Sequence, residues 1–306
     1  MYKKIVRLLL LLIVCSFSNY SPIVNAKEKT ITIGSKNFTE QYVLAEIAKQ
    51  LLEKHGFTVN LVSNLPTVVL RGALEQGDID VYYEYTGTAY SILYQQSESD
   101  LFYQKEALYQ WVKEKDSKKG LTWLTPLPFN NTYVLSLKRD EAISKNLFTL
   151  SALAEYIKNN HNEKLQLGVY AEAWERLDGI KQVEKRYNFN FPVSHVRKMD
   201  QGLIYFALLQ DYIDIAVGTM TDGFIMEYDL VVLEDDKGAF PIYHPAPVVR
   251  KEVLVNYPEL EAILNQLSQR LTISTMRMLN AQVQVEHKPI SVVIEQWLKQ
   301  EVGDLR

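Results

Sequence analysis

The sequence predicts an α/β fold of two lobes, each built on a mainly parallel sheet and joined by a hinge of two chain crossings. Three observations predict it. Strand and helix patterns alternate from Thr30 onward, a second alternating set starts at Tyr133 after a less regular stretch, and from Pro258 the pattern is helical. A β-α-β-α-β order implies a sheet covered on both faces. Two such sets followed by a helical tail imply two lobes, with the tail returning to the first.

Thr30 to Ile33 alternates as a strand does. Asn37 followed by Glu40 makes a capping-box-like helix start, and Leu44, Ile47, Ala48, Leu51 and Leu52 continue at helical spacing until Gly56. Thr58 to Val62 reads as the next strand, and Pro66 opens a helix carrying Leu70, Ala73 and Leu74 that Gly77 closes. Ile79 to Tyr85 is rich in β-formers and short enough for a buried strand, and Thr86-Gly87-Thr88 then breaks it and can open a helix.

In the second set, Tyr133 to Leu137, Leu165 to Tyr170, Val193 to Val196 and Asp214 to Thr219 read as strands. Leu150 to Ile157, Ala173 to Tyr187 and Gly202 to Leu209 read as helices between them. The tail reads as three helices, Pro258 to Leu271, Thr275 to Val283 and Pro289 to Val302, two of them opened by proline. This gives a leader over residues 1–26, a first lobe over 27–130, a second over 131–237 and a return to the first over 238–306. The crossings fall near Asn130-Asn131 and Lys237-Gly238.

Lys3, Lys4 and Arg7, the apolar run from Leu8 to Phe17 and the small residues of Val24-Asn25-Ala26 read as an export signal cleaved near Ala26. The run is too short to cross a bilayer. Val14 is too bulky for a lipoprotein anchor at Cys15, so a soluble periplasmic protein is expected. Removing the leader takes three basic and no acidic residues, leaving 280 residues with 30 basic against 37 acidic side chains. That balance argues against nucleic acid or anionic lipid as a partner. No cysteine remains, so core burial rather than disulfides must hold the fold in an oxidising compartment.

Catalytic patterns are missing. The five histidines are far apart without metal-ligand spacing, and no nucleophile elbow, P-loop or GxGxxG turn appears. Asp78, Asp80, Asp235 and Asp236 read as turn and surface residues rather than an acid/base pair. Nothing in the pattern asks for a cofactor or a metal, and the weight shifts towards binding.

Two stretches offer binding chemistry. Four tyrosines lie between Tyr82 and Tyr90, with Tyr83 and Tyr85 on one strand face and Tyr82 and Glu84 on the other. Open α/β sheets keep their ligands at the carboxyl ends of strands, where Tyr85 falls. Gly34-Ser35-Lys36-Asn37 is a strand-to-helix junction whose free amides and lysine favour an anion. Together they read as the two halves of a zwitterion site.

GSKNFTEQ at 34–41, GDIDVYYEYTGTAY at 77–90, Thr221-Asp222-Gly223, LEDDKGAFPIY at 233–243 and Met276-Arg-Met-Leu-Asn280 carry a specific resemblance. From about Thr30 to Leu298 the chain resembles the substrate-binding proteins of osmoprotectant importers, the glycine betaine/choline/carnitine group of ATP-binding-cassette systems. The resemblance implies the two-lobed type II periplasmic-binding-protein fold and a monomer. It further implies a small quaternary-ammonium or zwitterionic ligand in the cleft, delivered to an ABC permease in the inner membrane.

A quaternary ammonium has no N–H and is recognised by aromatic faces, each contributing roughly 0.5–2 kcal/mol. By resemblance, Tyr85, Tyr133 and Tyr243 match cage walls, and Lys36, Thr88 and Arg176 match the positions that hold a carboxylate. One position departs: Thr219 stands where the better-defined cages of the group have another tyrosine. The space so freed leaves open a larger betaine such as carnitine or ergothioneine, or a polar amino acid. An enzyme on the same fold is the rival from another class. Alanine at Tyr85 is expected to weaken binding far more than alanine at Tyr109, read as a surface tyrosine.

Overall fold

β-Branched and aromatic residues put down the first three strands where the pattern placed them: β1 (Thr30–Gly34), β2 (Thr58–Val62) and β3 (Val81–Tyr85). They alternate with α1 (Thr39–Lys54) and α2 (Thr67–Gln76), the latter starting after Pro66 and ending at Gly77. The computed structural model describes residues 29–160 and 165–302, so the leader expected over 1–26 lies outside the described residues.

After β3 a helical turn at Thr86–Thr88 runs into a π-helical turn at Ala89–Leu93. Next come α3 (Lys105–Ser117) and β4 (Leu121–Trp123). The second lobe holds β5 (Tyr133–Leu137), α4 (Arg139–Ser144), α5 (Leu150–Asn159), β6 (Leu167–Val169), α6 (Ala171–Glu175) and α7 (Ile180–Tyr187). It continues with β7 (Val196–Lys198), α8 (Gln201–Leu209), β8 (Ile215–Thr219), α9 (Gly223–Glu227) and β9 (Val231–Val232). The chain then returns through β10 (Pro245–Arg250), α10 (Lys251–Asn256), α11 (Glu259–Asn265), α12 (Ile273–Gln284) and α13 (Ile290–Val302).

Two five-stranded sheets result, ordered β2-β1-β3-β10-β4 and β7-β6-β8-β5-β9. In each, three strands run parallel and the strand formed just after a crossing, β10 or β5, runs antiparallel to both its neighbours. The sheets are therefore mixed, because a chain arriving from the other lobe enters the sheet from the opposite end. β3 is buried at all five positions, with Tyr83 in the core shared with α1 and the tail, and Tyr82 in the core on the opposite face. That is the alternation expected of it.

β10 escaped the sequence reading because it reads Pro245-Ala-Pro-Val-Val-Arg250, and a strand interior seldom takes proline. The structure accommodates both rings. The carbonyls of Pro245 and Pro247 accept from the amides of Leu127 and Leu124, in the irregular stretch after β4. A residue's N–H and C=O leave a strand on the same side, so the missing N–H groups face that stretch and not the ladder with β3.

Other expectations change. The strand expected from Val193 to Val196 is a 3-10 turn over Val193–His195, and β7 begins only at Val196. The capping box does not form: Phe38 holds the N-cap position with no side-chain bond, and Glu40 turns into the protein, buried. The helix expected from Ala173 to Tyr187 is broken into α6 and α7, because Arg176 takes extended backbone (φ −66°, ψ 138°) and its guanidinium closes on Asp178. Tyr109 is buried, its hydroxyl donating to the carbonyl of Leu124 at 2.8 Å. The tail does return to the first lobe, where α11, α12 and α13 pack on α1, but α12 also packs on α9 of the second. Asn280 Nδ2 donates to the Thr221 carbonyl (2.9 Å) and Arg277 Nε to that of Met220 (2.7 Å). Gly223 permits this approach, since a Cβ there would lie 2.3 Å from the Ala281 nitrogen.

Candidate functional site

All seven residues singled out in the sequence line one cavity of about 70 Å³ between the lobes. Its size suits a small solute rather than a peptide. Strand ends position most of it. Lys36 follows β1, Tyr85 ends β3, Thr88 lies on the helical turn after it, and Tyr243 precedes β10. From the second lobe, Tyr133 opens β5 and Thr219 ends β8, and the two are register partners across that antiparallel pair. Arg176 comes from the break after α6.

The tyrosines converge. The Tyr133 ring lies 5.8 Å from that of Tyr243 and 5.7 Å from that of Phe240, distances at which aromatic pairs attract. Tyr85 sits 6.1 Å from Phe38. Gly87 lets the Tyr243 ring come close, since a Cβ there would lie 2.8 Å from both that ring and the Ile242 carbonyl. Burial pushes the hydroxyls of Tyr85, Tyr133 and Tyr243 far from ionisation, so the walls stay neutral.

Both cations facing the cavity already hold an anion. Lys36 Nζ meets Glu84 at 2.5 Å with both side chains buried, and lies 5.2 Å from the centre of the Tyr85 ring. Arg176 donates twice to Asp178 at 2.7 Å and once to Glu172 at 3.0 Å, and its guanidinium stands 5.7 Å and 5.8 Å from the rings of Tyr133 and Tyr243. Burial alone would raise the Asp178 carboxyl, but the hydrogen bonds and charge of Arg176 hold it below its usual value. An ammonium has three N–H donors and a guanidinium five, so donors remain on both for an anionic guest. Asp178 also joins the lobes, accepting from Ser91 at 2.6 Å and from Tyr243 at 2.8 Å. The described residues contain no cluster of histidine, cysteine and carboxylate side chains able to hold a metal.

Sequence reasoning missed Asn37, Phe38, Tyr170 and Gln201, which line the same cavity. Tyr170 was findable: it follows β6 as directly as Tyr85 ends β3, and its ring lies 6.3 Å from Tyr133. Phe38 lay inside the junction already marked for Lys36. Thr219 has a second environment. With Phe38, Tyr170 and Gln201 it also borders a neighbouring cavity of about 610 Å³ that runs on past Tyr205 and Phe224.

The chain resembles known proteins over most of its length. Residues 29–300 match the family model described as the substrate-binding domain of an ABC-type glycine betaine transport system. The chain is 35% identical over 279 residues to a glycine-betaine-binding protein of Pseudomonas aeruginosa, covering 90% of this chain and 89% of that one. It is 34% identical to the ergothioneine transport permease/ergothioneine binding protein EgtU of Helicobacter pylori, over 89% of this chain and 48% of that longer one. The crystal structure of a glycine betaine/carnitine/choline ABC transporter superposes with a TM-score of 0.76 at 31% identity, covering 89% of this chain and 99% of the other.

Proposed function

Since the chain belongs to the family of substrate-binding domains of ABC-type glycine betaine transport systems, we propose that it is an exported receptor that closes on a small zwitterionic quaternary ammonium and hands it to a membrane permease. One observation carries the reading: the rings of Tyr85, Tyr133 and Tyr243 surround a cavity that also receives Lys36, Thr88 and Arg176. Methylated nitrogen is drawn to the ring faces, and the carboxylate to the unused donors of the two cations and the Thr88 hydroxyl. Contacts from both lobes make the ligand stabilise the closed form over the open one. No helix among the described residues is long and apolar enough to cross a membrane.

Titration calorimetry and thermal unfolding of the leaderless chain against glycine betaine, choline, carnitine, ergothioneine and polar amino acids test it. A cognate solute at a hundred times its Kd is expected to stabilise the fold by about 2.7 kcal/mol. Stoichiometric uptake without any product separates a receptor from an enzyme. Saturation by polar amino acids alone, with every methylated solute silent, would overturn the reading.

A second reading has its own observation. Because Thr219 borders both cavities, a betaine carrying a longer arm, of the carnitine or ergothioneine kind, has space to extend past it. Thr219→Tyr supplies a further ring and closes that passage. It is expected to tighten glycine betaine about tenfold, the value of one more cation–π wall, while weakening the longer solutes. If all solutes lose affinity together, the side chain at 219 does not govern the passage.

A further inference from the structure

Glu40 stands where the chain's expected helix cap was, yet it is 2% exposed and has no ion-pair partner among the described residues. Three donors from separate parts of the fold converge on it. Tyr85 Oη donates to Oε1 at 2.6 Å, Asn131 Nδ2 to the same oxygen at 3.0 Å, and Thr221 Oγ1 lies 2.5 Å from Oε2. Tyr85 is a cavity wall of the first lobe, Asn131 lies on the crossing, and Thr221 belongs to the second lobe, where Asn280 of α12 holds its carbonyl.

Thr221 Oγ1 also stands 3.0 Å from Asn131 Oδ1. A hydroxyl has one proton to give, so with Glu40 ionised only one of these two contacts is a hydrogen bond. With the proton on Glu40 Oε2 both are. The acid donates to Thr221 Oγ1, which donates to Asn131 Oδ1, and the Asn131 amide donates back to Glu40 Oε1. The three side chains then form a closed ring with every contact satisfied.

We propose that Glu40 serves in the assembled cleft as a neutral carboxylic acid within this ring, a positioning residue that fixes the Tyr85 hydroxyl and ties both lobes to the crossing. The inference rests on reading the cavity as a zwitterion site and adds how its wall is held. Charged and titratable groups face it from both lobes. From the first lobe they are Tyr85, Tyr42 and, beyond the Tyr85 ring, the Lys36–Glu84 pair; from the second, Asp222 and Tyr205 and, around the larger cavity that Glu40 also borders, Tyr170, Glu172 and Asp200; from α12, Arg277. Burial pushes the Glu40 carboxyl up to about 7 against the pull of its hydrogen bonds, and Asp222 adds repulsion. A carboxyl raised by folding contributes stability that is complete below its unfolded value and is lost as pH rises through about 7.

Glu40→Gln imitates the protonated acid, with an amide N–H for Thr221 and an oxygen for the other two donors. Thermal unfolding without solute and calorimetry with glycine betaine, each across about pH 5.5 to 8.5, compare it with the wild type and with Glu40→Ala. The wild type is expected to lose melting temperature and roughly threefold to tenfold in affinity between about pH 6 and 8. Glu40→Gln is expected to hold the wild type's acid-side values throughout, and Glu40→Ala to be weak at every pH. A glutamine variant that keeps the wild-type slope, or falls as low as alanine, would overturn the proposal. Unfolding needs no solute, so failure of every solute to bind would sink the receptor reading while the melting profiles still judge the ring.

Discussion

Tyr85→Ala is expected to weaken binding of the cognate solute about a hundredfold, near 2.7 kcal/mol. One ring lost from a desolvated cage accounts for about 2 kcal/mol of that. The remainder comes from what the ring holds: its hydroxyl donates to Glu40 and receives Gln41 Nε2 at 3.1 Å, and Lys36 rests over its face. Tyr85→Phe keeps the face and removes the hydroxyl, so it separates the two parts and is expected to lose only about fivefold, the worth of one modest hydrogen bond. The proper control is Tyr212, 71% exposed, since Tyr109 is buried. Equal losses at Tyr85 and Tyr212 in calorimetry would remove the cage assignment.

The largest expected loss of stability lies away from the cleft. Asp116 is fully buried and accepts from Arg71 Nη1 and Nη2 at 2.8 and 2.5 Å, from Trp123 Nε1 at 2.6 Å and from the Tyr94 hydroxyl. Burial alone would raise its carboxyl, but the hydrogen bonds and charge of Arg71 hold it below the usual value. Its stabilisation is therefore present at neutral pH and lost as pH falls through that lowered value. Asp116→Ala strands a buried guanidinium and an indole N–H, and about 3–5 kcal/mol is expected to go. In a chain of this size that is a drop of roughly 6–20 °C in melting temperature. A loss below about 1 kcal/mol would mean that Glu75, 2.6 Å from Arg71 Nε, suffices alone.

Most of the regular framework was legible because it depends on local pattern. The bounds of β2, and of β5 from Tyr133 to Leu137, follow from runs of β-formers, and α2 from its proline and glycine ends. β10 was hidden because its prolines are acceptable only beside an irregular stretch that becomes its neighbour after folding. The break at Arg176 was hidden for a like reason: a helical pattern is local, whereas Asp178 is held in place by Ser91 and Tyr243 from the other lobe. That Tyr85, Tyr133 and Tyr243 meet at one cavity was legible through motifs. The role of Glu40 was misread because its partners stand 45, 91 and 181 residues away, and a cap three residues off was the nearer explanation.

The pairing of Lys36 with Glu84 and of Arg176 with Asp178 has a consequence for the setting in which such a receptor works. Each positive group meets the guest with its own counter-charge attached, so the cavity casts little field beyond its walls for dissolved ions to dampen. At physiological ionic strength charges are already screened beyond about 8 Å, and what holds the guest acts within that range. Capture is therefore expected to depend little on ionic strength.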